Sequence, residues 1–132
     1  MLPEDPDEDF VYKFLFNGCN LSIVQLETLI IDLSSHGSPL NDKIHKRRRP
    51  SITKGSFLRT LKQAQTNIEQ SAYTIILIQY LSLVNEETNS NLLRIGSILQ
   101  QLSGGEVSKE KMRLLVERIQ DIVETLSGRR TI

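Results

Sequence analysis

The sequence predicts an all-α fold, and three observations support this prediction. Apolar residues recur at spacings of three and four, the period of one helix face, along most of the chain after residue 22. Side chains typical of helix N-caps precede these segments, and glycines follow several of them. Strand-like alternation, internal repeats and low-complexity tracts are missing from the sequence. We expect about five helices, with a long central helix and C-terminal helices that form a bundle or a dimer interface.

The segment before the first clear helix has two parts. Residues 1–9 contain two prolines and five acids, a composition typical of a flexible tail. The apolar segment from Phe10 to Phe16 is too short to distinguish a two-turn helix from a strand, and Asn17-Gly18 indicates only a turn. Both conformations therefore stay open for this segment.

The first clear helix begins after Ser22, which forms a capping-box pattern with Gln25. Gly37 is a suitable C-terminal end for this helix. One apolar face follows the cap and consists of Ile23, Leu26, Ile30 and Leu33, with Leu29 beside them. A short second helix is predicted from Pro39 to about Lys46, because proline favours the first helical position.

The central helix is predicted to start at the N-cap Thr53 and to run to about Val84. Its apolar residues have helical spacing: Phe57, Leu61, Ala64, Ile68, Ala72 and Ile75. From Tyr73 onward nearly every position is apolar. We therefore expect this second half to be buried on several sides, either at the centre of the fold or at a subunit interface.

Two further helices are predicted after a polar linker at Asn85–Asn91. The first carries Leu92, Ile95, Leu99 and Leu102. It ends at Gly104, and Ser108 then caps the last helix, with Glu110 favourably placed in its first turn and Gly128 at its end. The apolar residues of the last helix form a heptad seam: Met112, Leu115, Ile119, Ile122 and Leu126. This seam fits either a monomeric bundle or a dimer interface, and the apolar surplus of the central helix favours the dimer.

The distribution of charge is more informative than its sum. The net charge is zero, yet eight of the 16 Lys and Arg residues lie between Lys43 and Lys62, with no acid among them. A basic segment of this kind suits a polyanionic partner. Scarce aromatic residues and the lack of tryptophan argue against a single-strand binder that stacks bases.

The expected location is cytoplasmic or nucleoid-associated, with no membrane contact. The N-terminus lacks the pattern of a signal peptide, and the longest apolar run is about half the length of a bilayer-spanning helix. The single cysteine, Cys19, excludes an internal disulfide framework. We interpret Cys19 as a small, half-buried side chain rather than a reactive thiol.

No catalytic residues, metal ligands or cofactors are predicted. The sequence has no Gly-rich phosphate loop, no Cys-x-x-Cys pair and no hydrolase or zinc-protease motif. His36 and His45 lie in polar segments and are interpreted as solvated side chains rather than metal ligands. No small-molecule ligand is evident either, so an enzyme is not expected.

The residues from Ser51 to Leu61 resemble the turn and recognition helix of helix-turn-helix DNA-binding proteins. The shared pattern is an apolar anchor, a hydroxyl N-cap, a basic residue, small and hydroxyl residues, then a second anchor followed by arginine. Ile52, Phe57 and Leu61 are the anchors. The turn at 47–51 departs from the compact form of this family, because it is longer and has no glycine.

The resemblance implies that the start of the central helix enters the major groove of double-stranded DNA. The residues expected to contact bases are Lys54, Ser56, Arg59 and Gln63, with Thr60 on the same solvent face. The residues expected to contact phosphates are Arg47, Arg48, Arg49, Thr53 and Lys62. The N-cap and first-turn amides add a phosphate site that the helix dipole favours.

These patterns lead to one functional hypothesis and one alternative. The hypothesis is a sequence-specific DNA-binding protein, a small transcriptional regulator, whose homodimer presents two recognition helices to a palindromic site. Its regions are an acidic tail at 1–9, a helix-turn-helix-like DNA-binding region at 10–70 and a bundle or dimerisation region at 71–128, in one compact unit that shares the helix from about 54 to 84. The alternative is an α-helical protein-interaction module or adaptor with a basic docking segment.

Overall fold

A computed structural model describes residues 9–35, 37, 39, 43, 53–102 and 108–129. These residues form five α-helices and no strand, which confirms the all-α prediction. The helices are α1 (Phe10–Gly18), α2 (Ile23–Ser34), α3 (Lys54–Tyr80), α4 (Glu86–Leu102) and α5 (Lys109–Ser127). The chain divides within α3 into two compact units, Met1–Thr74 and Ile75–Ile132.

Side-chain caps start the first two helices. Asp9 accepts a hydrogen bond of 2.9 Å from the backbone N–H of Tyr12, so the segment that the sequence left open is helical. The predicted capping box of α2 is confirmed, because Ser22 Oγ accepts from Gln25 N at 3.1 Å and Gln25 Oε1 accepts from Ser22 N at 3.0 Å. Of the predicted second helix only Pro39 and Lys43 are described, and Lys43 N donates to the Pro39 carbonyl at 3.2 Å.

The buried face of α2 differs from the predicted one. Glu27, Thr28 and Ile31 are buried, whereas Leu33 is 61 % exposed. The other predicted apolar residues of the helix are half-buried: Ile23, Leu26, Leu29 and Ile30. Thr28 can be fully buried because its hydroxyl donates to the Val24 carbonyl at 2.7 Å, which satisfies its polar atom within the helix. The buried face of α2 is therefore not the face that carries the most apolar residues.

The helix α3 ends earlier than predicted, at Tyr80 instead of near Val84. Its end is a Schellman motif: Ser82 N donates to the Gln79 carbonyl and Leu83 N to the Ile78 carbonyl, both at 3.0 Å. Ser82 adopts the left-handed conformation that this motif requires, with φ 58°. A residue other than glycine therefore stops the helix.

The predicted linker at Asn85–Asn91 is wrong, because α4 begins at Glu86. Asn85 is its N-cap and accepts a 2.8 Å hydrogen bond from Thr88 N. Glu86 and Glu87 occupy the first turn, where the helix dipole favours acids. Gln79 Nε2 donates to Asn89 Oδ1 at 2.9 Å and joins the last turn of α3 to α4.

The helices α4 and α5 pack antiparallel and supply the core of the second unit. The start of α4 lies beside the end of α5 in one cleft, and the end of α4 lies beside the start of α5 in another. Their buried apolar residues are Ile95, Leu115, Val116, Ile119 and Ile122. Three members of the predicted α5 seam are thus buried within the chain itself. The predicted cap Ser108 and the end at Gly128, with φ 79°, are confirmed.

The second half of α3 is not covered by the described part of the chain, so its predicted place at the centre of the fold is wrong, whereas the alternative of a subunit interface stays a prediction. Tyr73 is 73 % exposed and Tyr80 is 83 % exposed. The large apolar side chains between and just after them are also mostly exposed: Ile76, Leu77, Leu81 and Leu83. Only Ile75 and Ile78 of this stretch of the helix are half-buried. The apolar composition was read correctly, but no other described element buries it.

Candidate nucleic-acid interface

The start of α3 is fixed by Thr53, as predicted. Thr53 Oγ1 accepts from the backbone N–H of Ser56 at 3.0 Å, and the Thr53 carbonyl accepts from Phe57 N at 3.0 Å. The N–H groups of Lys54 and Gly55 have no acceptor among the described residues. They belong to the unpaired donors that every helix N-terminus presents.

The inner side of this helix start is firmly anchored. Phe57 and Ala64 are both completely buried, and Leu61 between them is half-buried. Their spacing of four and three keeps them on one side of α3. Phe57 and Leu61 therefore have the anchoring positions expected for them, whereas the third predicted anchor, Ile52, lies outside the described residues.

Exposed cationic and amide side chains lie along the start of the helix. Lys54, Arg59, Lys62 and Gln63 are exposed, and none of these side chains has a hydrogen bond or ion pair with the described part of the chain. Arg59 and Gln63 are one turn apart, so they lie on the same side of the helix. The structure thus presents a group of free donors on a helix that is fixed from behind.

Two of the predicted contact residues are less accessible than the others. Ser56 and Thr60 are half-buried, and Thr60 lies one turn from both Phe57 and Ala64, on the anchored side of the helix. Of the residues predicted to contact phosphates, Thr53 and Lys62 are exposed near the helix start. The other three, Arg47, Arg48 and Arg49, lie outside the described residues.

Lys43 does not belong to this group of unpaired cations, because it forms an ion pair. Its Nζ lies 2.9 Å from Asp32 Oδ1 of α2, and the two side chains are only 14 % and 23 % exposed. The charge of Lys43 is therefore compensated within the chain. Among the described residues, the uncompensated positive charge of the basic segment begins at Lys54.

A polar contact joins the middle of α3 to the start of α2, and sequence reasoning missed it. Asn67 Nδ2 donates to the Asn20 carbonyl at 3.1 Å and to Gln25 Oε1 at 3.3 Å. Asn20 Nδ2 in turn donates to Ser71 Oγ at 3.4 Å. The signal for this contact was an asparagine inside a helix, where its low propensity calls for a reason. The predicted stripe residue Ile68, in contrast, is 44 % exposed.

The residues predicted to be solvated or half-buried rather than functional were His36, His45 and Cys19. No group of three or more His, Cys, Asp or Glu side chains among the described residues could hold a metal ion. Both histidines, His36 and His45, lie outside the described residues. Cys19 is an exposed free thiol, not the half-buried side chain expected for it, and its Sγ donates to the Phe16 carbonyl at 3.2 Å. Burial raises the pKa of the neighbouring Tyr12 phenol, and the charges of Cys19 and Asp9 add to the rise.

No single described helix is both long and apolar enough to cross a bilayer, and α1 and α2 reach the necessary length and hydropathy only as a pair bent by 111°.

Comparison of the chain with known proteins found no match. No protein-family model, no curated protein and no solved structure is similar to it. Its function is therefore inferred from the geometry of its own side chains.

Proposed function

We propose that this chain binds double-stranded DNA in a sequence-dependent manner, as a small transcriptional regulator that places the start of α3 in the major groove. One observation carries the proposal. The first turns of α3 expose four donors without partners in the described chain, and three of them, Arg59, Lys62 and Gln63, lie away from the side on which Phe57 and Ala64 are completely buried. A major groove admits an α-helix, and a helix fixed from behind presents its outer side chains at constant positions.

The electrostatics of the helix start favour phosphate groups. No acid occurs between Lys43 and Ile68, and Lys43 itself is neutralised by Asp32. The free N–H groups of Lys54 and Gly55 point out of the positive end of the helix dipole, which is a suitable arrangement for an anion. Phosphate contacts of this kind supply affinity and orientation but no sequence information.

Sequence preference comes from the side chains that reach base edges. Arg59 and Gln63 lie one turn apart on the exposed side of α3. Arginine pairs with the O6 and N7 atoms of guanine, and glutamine pairs with the N6 and N7 atoms of adenine. Lys54 can add a contact to guanine nearer the helix start. Ser56, which is half-buried, is expected to contribute least among the predicted base contacts.

The proposal is tested by selecting duplexes from a random pool and measuring affinity by fluorescence anisotropy at several salt concentrations. Arg59→Ala and Lys62→Ala are compared with Arg94→Ala, which removes an exposed arginine from α4. We expect Arg59→Ala to weaken binding of the selected duplex about tenfold or more, and Lys62→Ala to reduce the salt slope by about 0.9. Arg94→Ala leaves both quantities unchanged.

A second substitution separates base reading from general attraction. Gln63→Ala removes no charge, so it leaves the salt slope unchanged and relaxes the preference at one base pair. The proposal is contradicted if no duplex is selected from the pool, or if Arg59→Ala and Arg94→Ala have equal effects.

The second candidate function is an α-helical protein-interaction module. The observation that favours it is the exposure of large apolar side chains at the end of α3, such as Leu77 and Tyr80. In that case the basic residues serve only for docking, and all duplexes bind with the same weak, salt-dependent affinity. Selection from the random pool distinguishes the two functions, because a module of this kind enriches no sequence.

A further inference from the structure

We propose that the residues from Ile76 to Leu83 form a contact surface for a second copy of this chain. The surface, called here the 76–83 patch, comprises five exposed apolar side chains: Ile76, Leu77, Tyr80, Leu81 and Leu83. All of them belong to the second compact unit. The proposal is independent of DNA binding, because none of these residues is part of the candidate nucleic-acid interface.

The side chains of the patch are exposed to an unusual degree for their chemistry. Tyr80 is 83 % exposed and Leu83 is 68 % exposed, and the other three range from 53 % to 59 %. With on the order of 200 Å² for each whole residue, they present about 600 Å² to solvent. Contiguous apolar patches on monomeric proteins are about 300–600 Å² at most, so this patch lies at the upper limit.

The area also corresponds to what a stable dimer requires. A standard interface buries about 800 Å² on each partner, of which the patch alone supplies roughly three quarters. Interface cores are enriched in aromatic residues and depleted of charge, and this patch contains the tyrosine Tyr80 and no charged residue. The heptad seam of α5 does not compete for this role, because Leu115, Ile119 and Ile122 are already buried within the chain.

The charge pattern favours a second copy over other occupants. No charged residue lies between Glu69 and Glu86. In a two-fold contact each surface meets itself, so a charged patch meets like charges, whereas a neutral patch does not. A nucleic acid or an acidic peptide finds no cation here, and an anionic membrane surface needs nearby Lys or Arg that the patch lacks.

Sedimentation velocity of the full chain, from about 1 µM to about 100 µM, tests the proposal. We expect a species of twice 15.0 kDa. Leu77→Glu and Tyr80→Glu should each weaken self-association tenfold or more, since each places like charges in the contact. The matched control is Leu93→Glu, which changes a leucine of α4 that is 78 % exposed and lies outside the patch, and it leaves the dimer intact.

Several outcomes contradict the proposal. They are a wild-type chain that stays monomeric over the whole range, a dimer that survives both patch substitutions, and a dimer that Leu93→Glu dissociates equally. A monomer that floats with phosphatidylcholine vesicles and loses this property in Leu77→Glu identifies a membrane surface as the occupant instead.

Far-UV circular dichroism verifies that each variant is folded, and Leu77→Ser with Tyr80→Ser replaces any glutamate variant that unfolds. Failure here leaves the duplex-binding variants of α3 unaffected, so the two proposals fail separately.

Discussion

Gln25 Oε1 accepts two hydrogen bonds, one from Ser22 N at 3.0 Å and one from Asn67 Nδ2 at 3.3 Å. The first bond completes the capping box of α2, and the second joins that box to the middle of α3. A single amide oxygen thus connects the start of one helix to the helix that carries the candidate DNA-contacting residues. The same Asn67 amide also donates to the Asn20 carbonyl at 3.1 Å, which extends the contact to the segment before α2.

Replacing Asn67 with alanine should reduce the free energy of unfolding by about 1 kcal/mol. Two hydrogen bonds are lost, each with a net value of about 0.5–1.5 kcal/mol, and the higher helix propensity of alanine offsets part of the loss. Thr66→Ala is the matched control, since Thr66 is exposed and its side chain has no partner in the described chain. Urea unfolding followed by circular dichroism should show that Thr66→Ala is neutral or slightly stabilising. Equal effects of both substitutions would show that the Asn67 bonds contribute nothing.

Two neighbouring residues test which side of α3 is anchored. Phe57 is completely buried, whereas Leu58 is 49 % exposed. Phe57→Ala should cost about 3–5 kcal/mol, because it removes a fully packed aromatic ring and leaves a cavity, whereas Leu58→Ala should cost less than about 1 kcal/mol. Thermal and urea unfolding measure both values. A larger cost for Leu58→Ala would reverse the assignment of the inner and outer sides of the helix and would contradict the proposed DNA-facing side.

Local signals in the sequence correctly predicted the starts of α2, α3 and α5 and the end of α5. The caps at Ser22, Thr53 and Ser108 depend on hydrogen bonds between residues three apart, so the sequence contains all the information that they need. Asn85 is the same kind of signal, but the polar residues after it were interpreted as a linker. The predicted glycine stop was correct at Gly128, where the left-handed conformation is required.

The buried faces of the helices were harder to predict, because burial depends on which distant residues pack against each helix. Thr28 is buried in place of Leu33, since its hydroxyl is satisfied within α2. Asn67 is directed at Gln25 by a contact over 42 residues that no local pattern reveals. The candidate site was predictable where it depends on helical spacing, as for Phe57 and Arg59. Its relation to α2 was not predictable.

Ser82 offers a test of the Schellman motif at the end of α3. Its φ of 58° is a conformation that costs a residue with a Cβ atom roughly 1–2 kcal/mol and glycine very little. Ser82→Gly should therefore stabilise the chain by about 0.5–1 kcal/mol, after the entropy of the more flexible unfolded chain is included. Ser97→Gly, at an exposed position inside α4, should instead destabilise it by about 0.5 kcal/mol. Urea unfolding that gives the same sign for both would contradict this account of the helix end.

Alanine substitutions at two glycines distinguish an effect on stability from an effect on DNA binding. Gly55 lies in the first turn of α3, and a Cβ atom there would meet only Thr53 Oγ1, at 3.9 Å; at Gly96 in α4 it would meet nothing within 4 Å. Both alanine substitutions should stabilise the chain, Gly96→Ala by about 0.8–1 kcal/mol and Gly55→Ala by less, because propensity counts most in a helix interior.

Of these two substitutions, only Gly55→Ala should change the affinity for the duplex. If a phosphate approaches the free N–H of Gly55, an added methyl group hinders that approach and weakens binding severalfold, even though the folded chain is more stable. Gly96→Ala raises stability without changing affinity, so it excludes stability itself as the cause. Unfolding and anisotropy measurements on the two variants decide the matter. Unchanged affinity in Gly55→Ala would remove the backbone N–H groups of the helix N-terminus from the proposed interface and leave only side chains, chiefly those of Lys54, Arg59, Lys62 and Gln63, to contact DNA.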